Sequence, residues 1–211
     1  IKNIFILKGF SMKNILEWII IIFIASISTL IFRYFIGTPT TVKKISMSPT
    51  LKDNDKIFIS RIFRITKKIP KRGDIVTFEA PSSTYSFSNV NQSNPKAIYN
   101  NSKKGLIKKF FYNILEITKT SYIKRVIAEP GEHVEIKNGN VYINGNKLQE
   151  NYLAENITTE SFIFNDFIVP EGYLFCMGDN RPDSIDCRNF GCIPFKKIEG
   201  KVICRFWPLN K

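Results

Sequence analysis

The 211-residue sequence predicts a mainly β body behind one N-terminal transmembrane helix, with a variable insertion in the body. Three features point there. An apolar run sits near the N-terminus, short segments rich in β-branched and aromatic residues follow it, and Asn-Gly pairs punctuate those segments at hairpin spacing.

Between Lys13 and Arg33 the only charge is Glu17. The 19 intervening residues span about 28 Å as a helix, close to the ~30 Å hydrocarbon core of a bilayer. Trp18 and Tyr34 stand where interfacial aromatics belong. A cleaved leader would have a shorter apolar run and a small-x-small site after it, whereas Ala25-Ser26-Ile27-Ser28 lies inside this run. Residues 1–36 are therefore expected to be a cytoplasmic tail and a retained single-pass anchor, and residues 37–211 the body. Met12-Lys13-Asn14 would also make a good start, with the first eleven residues as an upstream extension. Lys2, Lys8 and Lys13 face Arg33, Lys43 and Lys44 across the span, so charge bias alone sets no orientation.

In the body, Asp55 to Ser60, Asp74 to Glu79 and Tyr122 to Ala128 read as strands. His133 to Lys137 and Asn140 to Ile143 flank Asn138-Gly139 as a hairpin, and Asn144-Gly145 turns the chain again. Gly172 to Met177 and Lys201 to Trp207 supply later strands. Residues 81–120 change texture to Ser, Asn and Lys, as expected of an exposed insertion. Near its end, Leu106 to Ile117 has apolar residues on one helical half and Lys108, Lys109 and Glu116 on the other. Such a helix would either pack on the sheet or rest on a membrane surface.

The 31 Lys+Arg against 18 Asp+Glu leave a formal charge of +13. The lysines are spread along the chain, and no basic stripe with interleaved aromatics marks nucleic-acid binding. A single histidine, His133, argues against multi-histidine metal sites, and its place after Pro130-Gly131-Glu132 suggests an idle turn residue. The four cysteines, Cys176, Cys187, Cys192 and Cys204, read as small buried hydrophobes. No metal or organic cofactor is implied, and no signal for oligomeric state is legible.

Nucleophilic chemistry without histidine can use a serine hydroxyl and a neutral lysine, provided that the lysine is desolvated. Ser46-Met47-Ser48-Pro49-Thr50-Leu51 places hydroxyls before a turn. Tyr122-Ile123-Lys124-Arg125-Val126 sets a lysine in an apolar strand, where alternation puts Lys124 on the face of Tyr122 and Val126.

The order SMSPTL, RGDIVTF, YIKRVIAEPGE and GDNRPDSIDCRNFG, behind an anchor, resembles type I signal peptidase, the membrane-anchored Ser/Lys endopeptidase of bacteria. The resemblance implies a β catalytic core and Ser46 as nucleophile. It also implies Lys124 as general base and Ser184 as the hydroxyl that orients the lysine amine. Asp186 and Arg188 match a structural ion pair, with Asp179 as further support. Met47, Leu51, Tyr122 and Ile123 match positions near pockets that take Ala-x-Ala side chains. The implied partners are signal-peptide-bearing precursors and the lipid membrane, with the catalytic domain on the outer face and the substrate bound as an added strand. Three departures stand out. Lys44 occupies a position where the family often has Ser, Thr or Gly that helps form the oxyanion hole. Pro182 and Cys187 replace commoner residues of the last block, and the insertion is atypically placed.

The rival readings are another Ser/Lys protease, such as a self-cleaving repressor protease or a conjugation-pilus maturation peptidase, and an inactive membrane-anchored binding homologue. The first would need a DNA-binding helix-turn-helix, which the sequence does not show. The reticulum enzyme of eukaryotes uses His at the lysine position, which Lys124 opposes.

Overall fold

The computed structural model describes residues 12–85, 94–100 and 119–209. Helix α1 runs Met12–Phe35, and among the described residues nothing buries the most apolar stretch of its span, Lys13–Phe35. The chain then turns at once into β1 (Gly37–Thr41), which pairs antiparallel with β2 (Lys56–Ser60). A short helix α2 (Phe63–Thr66) precedes β3 (Ile75–Glu79) and β4 (Ser121–Ala128).

The two Asn-Gly signals form as expected. Asn138 and Gly139 both take positive φ between β5 (His133–Lys137) and β6 (Asn140–Ile143), and Asn144 and Gly145 do so before β7 (Asn146–Lys147). Positive φ at both central residues is the geometry that matches strand twist in a two-residue hairpin. Then follow β8 (Asp166–Ile168), β9 (Tyr173–Met177), helix α3 (Cys187–Phe190), β10 (Ile193–Pro194) and β11 (Ile198–Trp207).

The strands form a seven-stranded sheet in the order β1-β2-β11-β3-β4-β9-β10 and a four-stranded sheet in the order β7-β6-β5-β8, with every pairing antiparallel. Strand β11 lies between β2 and β3 and shifts register three times along its length, after Ile198, Val202 and Arg205. Each such irregularity bends and twists a strand. The main core joins both sheets around Phe78, Val126, Val134, Phe164, Phe175 and Phe190. A smaller cluster of Val42, Met47, Leu51, Ile57 and Ile59 lies under the chain segment after β1.

The fold is mainly β, with the strands where the β-branched runs put them. Strand β1, sequence GTPTT, offered no apolar alternation and escaped the sequence reading. The same holds for the very short β8 and β10. The cysteines need one correction. Cys176, Cys187 and Cys192 are buried, but Cys204 is exposed, because it falls at a register shift of β11 where the strand turns its side chains outward. All four are free thiols.

Two described pieces of the 81–120 stretch, residues 81–85 and 94–100, dock on the body. Tyr85 N–H donates to the Asn189 carbonyl at 2.9 Å, and Ala97 N–H to the Cys192 carbonyl at 2.9 Å. The amphipathic stretch from Leu106 to Ile117 lies outside the described residues.

Candidate active site

Ser46 lies in a turn that a hydrophobic plug and two hydrogen bonds hold in place. Met47 beside it is 1% exposed and seated in the smaller core cluster. Ser48 N–H donates to the Ile45 carbonyl and Leu51 N–H to the Met47 carbonyl, each at 2.9 Å. Lys44, two residues earlier, takes φ +76, a left-handed conformation uncommon for a residue with a side chain. Its own N–H is committed to Asp53 Oδ1 at 2.8 Å. Among the described residues nothing accepts from the Ser46 N–H.

Lys124 comes from the middle of β4, opposite Val76 of β3. The alternation of the strand turns it inward as expected, and it is 3% exposed. Its Nζ donates to Ser46 Oγ at 2.7 Å, across 78 residues of sequence. Burial is the largest influence on the Lys124 amine and pushes its pKa below the ordinary lysine value. The Asp186 and Asp179 charges oppose that shift, and Arg188 adds to it.

Beneath the pair lies the GDNR segment. Asp186 is fully buried and takes the Arg188 guanidinium in two hydrogen bonds, from Nε and Nη2, both at 2.9 Å. It also accepts from Gly178 N–H and caps α3 through Arg188 N–H. Burial alone would raise its carboxyl, but Arg188, the Gly178 N–H and the nearby Ser184 hydroxyl outweigh it and hold the pKa below the usual carboxylate value. Ser184 itself is buried. Its Oγ makes no hydrogen bond of good geometry among the described residues, and none joins it to Lys124.

Four residues that the sequence reading did not single out complete the arrangement. Arg125, on the opposite face of β4 from Lys124, grips Asp179 through Nε at 2.8 Å and Nη2 at 2.6 Å, and stacks on the Tyr152 ring. Thr50 donates to the same Asp179 at 2.6 Å, and Asn180 N–H donates to the Ser46 carbonyl at 3.1 Å. These contacts lock the serine turn to the GDNR loop. At Gly178 a Cβ would overlap both Ser184 Oγ and the Ser46 carbonyl oxygen, so only glycine fits. Alternation could have flagged Arg125 as the partner face of Lys124. Nothing in the sequence alone could have shown which oxygen Gly178 approaches.

A cleft of about 1110 Å³ opens beside the Ser46–Lys124 pair. Residues 38–46 form one wall, and residues 119–124 of β4 and its approach form the other. Met47, Tyr122 and Ile123 line it, together with Val42, Ile45 and Ile185. Leu51 does not line the cleft; it packs in the smaller core cluster behind Met47. His133 is the first residue of β5, with Nε2 at 2.7 Å from Asp166 Oδ1, and it does not line the cleft. Among the described residues no cluster of His, Cys, Asp and Glu could hold a metal ion.

The comparison with known proteins decides the family. The family model described as signal peptidase, peptidase S26, matches residues 15–207. The chain belongs to the signal peptidase family. It is 34% identical to signal peptidase IB of Staphylococcus aureus, over 94% of this chain and 93% of that protein. It is 33% identical to signal peptidase I of Bacillus licheniformis, over 97% and 95% respectively. A solved signal peptidase I from Enterococcus faecalis is 30% identical over 65% of this chain and 98% of that chain, with a TM-score of 0.41. As a signal peptidase the protein is a serine peptidase, a hydrolase that removes signal peptides from precursor proteins.

Proposed function

We propose that this signal peptidase is membrane-bound and cuts by a Ser46–Lys124 dyad after small residues in an Ala-x-Ala pattern. The observation that carries this reading is the 2.7 Å contact between a buried lysine amine and a serine hydroxyl at the wall of an extended cleft. A precursor segment would lie extended between residues 38–46 and β4, as an added strand.

Neutral Lys124 takes the Ser46 proton as Oγ attacks the scissile carbonyl carbon. The Ser46 N–H donates to the oxyanion, and a preorganised donor of this kind is worth several kcal/mol. The resulting ammonium gives its proton to the leaving amine as the C–N bond breaks. Lys124 then takes a proton from water, whose oxygen attacks the ester and frees Ser46. Asp186, Arg188, Arg125 and Asp179 act as structural support beneath the dyad. Ser184, buried beside Gly178, is assigned the role of steadying the amine, which its resemblance to the orienting hydroxyl of the family supports.

On this reading Met47, Tyr122 and Ile123, which line the cleft, form the pockets that take small side chains. The full-length protein in detergent should cleave a precursor with alanine before the scissile bond and lose at least ~100-fold in kcat/KM when that alanine is replaced by phenylalanine, since overpacking a formed pocket is costly. Equal cleavage of the two would refute the Ala-x-Ala assignment.

The span of α1 is apolar, and among the described residues nothing buries its most apolar window; a helix of that kind suits an apolar phase. On this reading the body stands on the outer face, because that is where translocated precursors emerge. Protease added to intact spheroplasts should digest residues 37–211; protection of the body until lysis would reverse the topology.

A further inference from the structure

The cleft beside the dyad is apolar at one end and charged at the other. Near Ser46 its lining includes Met47, Tyr122 and Ile123. Farther along it carries Arg61, Thr77, Lys119 and Glu199, which the dyad does not use. Arg61, Thr77 and Glu199 are only 3%, 2% and 5% exposed, so these polar groups are built into the floor of the cleft. Burying a charge is costly unless an opposite charge faces it.

For Glu199 that charge is Lys119, whose Nζ stands 2.7 Å from Glu199 Oε1. Behind the pair, Glu79 Oε2 lies 3.9 Å from the same amine, and Glu79 Oε1 accepts from Lys197 Nζ at 2.8 Å. The contact between Lys119 and Glu199 is close but poorly aligned. Among the described residues Glu199 Oε1 accepts no hydrogen bond of good geometry. Charge is balanced there, while the oxygen keeps its lone pairs for a donor. A buried carboxylate in that condition on the floor of a cleft points to a ligand group that completes it.

Strand geometry says which part of a precursor reaches this floor. With Tyr122 and Ile123 taking side chains before the scissile bond, the precursor continues upstream along residues 121 to 119. Lys119 stands five residues before Lys124, about 16 Å at ~3.3 Å per extended residue. An extended precursor covers that reach in five residues, and its first, third and fifth side chains before the bond share one face. The first and third are the small residues of the Ala-x-Ala pattern. The fifth comes down on Lys119 and Glu199.

We propose that Lys119 and Glu199 form a further specificity pocket, which takes an asparagine or glutamine side chain at the fifth residue before the scissile bond. The proposal rests on the reading of the cleft as the seat of an Ala-x-Ala precursor. An amide matches the pair because it both donates and accepts. Its NH2 group donates to the Glu199 carboxylate, and its oxygen accepts from the Lys119 ammonium. A carboxylate in its place would face Glu199, and an ammonium would face Lys119 and Arg61, so either meets a like charge. A leucine would cover both charged groups and offer neither a partner.

The test uses the full-length protein in detergent and peptides with alanine one and three residues before the bond. The fifth residue is Gln, Asn, Leu, Glu or Lys. The expected kcat/KM is about tenfold higher for Gln and Asn than for the other three, carried by KM because the group is remote from the reacting atoms. The same peptides are given to the double variant Lys119→Met with Glu199→Leu, since apolar replacement of both partners of a buried pair is commonly tolerated. Its melting temperature reports that it folds, and it should prefer Leu to Gln and Asn. A purely structural role would lower all five peptides together and keep the wild-type ranking, which would overturn the pocket. Equal wild-type rates for the five peptides would overturn it as well, even where the double variant fails to fold. So would a preference that follows the fourth or sixth residue. Replacing the alanine directly before the bond by phenylalanine separates this proposal from the reading beneath it. Failure of the Ala-x-Ala reading leaves that replacement harmless, whereas failure of the pocket alone leaves it damaging.

Discussion

Lys124→Arg is expected to abolish precursor cleavage, with a loss of at least ~10³-fold in kcat, within the range that a lost general base produces. The substitution keeps the positive charge and nearly the length. What it removes is the ability to give up a proton, since a guanidinium stays charged at any working pH. An ordinary lysine, with pKa ~10.4, would itself be almost wholly charged at neutral pH. Burial of Lys124 is what makes the neutral amine accessible. Ser46→Ala should cost about as much, and the double variant little more than either alone, because groups that act as one unit are not additive. Lys124→Met should be inactive yet more heat-resistant than the wild type at neutral pH. The lowered pKa means that folding forces a normally charged group toward neutrality. That cost is present below the ordinary lysine pKa and fades as pH rises toward it.

Asp186→Ala is expected to be the most damaging change to stability outside the core. It leaves Arg188 buried without its carboxylate and removes the cap of α3 and the acceptor for Gly178 N–H. Breaking a buried pair costs ~3–5 kcal/mol, and Arg188 keeps hydrogen bonds to the Glu160, Arg181 and Ser184 carbonyls, so about 3 kcal/mol is the better figure. For a chain of this size that is a fall in Tm of roughly 6–12 °C. The sign with pH follows from the depressed carboxyl pKa. The stabilisation is fully present above the unfolded value of ~3.9 and is lost as pH falls through the lower folded value, so wild type and variant should converge only in strong acid. Asp183→Ala, at an exposed neighbouring position, should leave the melting temperature almost unchanged. Thermal unfolding followed by residual peptide cleavage reads both; equal melting of Asp186→Ala and wild type would remove the ion pair from the account.

What the sequence made legible was what depends on local pattern. Strand alternation placed Lys124 inward, β-branched runs marked β2 to β4, and the Asn-Gly pairs marked the hairpins, because these rest on neighbours in sequence. The contacts that assemble the site are of another kind. Asn180 to Ser46, Thr50 to Asp179 and Arg125 to Asp179 each cross more than 50 residues, and no local period encodes them. Leu51 illustrates the limit. An apolar residue close to the serine fits a pocket and a core equally well by type, and it packs in the core. Ser184 shows another: it is expected to orient the Lys124 amine, and it lies buried beside Gly178 with no hydrogen bond to Lys124 in this geometry.

The central claim is that a buried, neutral lysine activates Ser46, and the pH–rate profile of precursor cleavage by the full-length protein tests it most directly. The account predicts that kcat/KM rises with pH along a limb well below the ordinary lysine pKa of ~10.4, and that Lys124→Arg shows no such limb and no cleavage. A wild-type limb at ~10.4, or near-normal cleavage by Lys124→Arg, would contradict it.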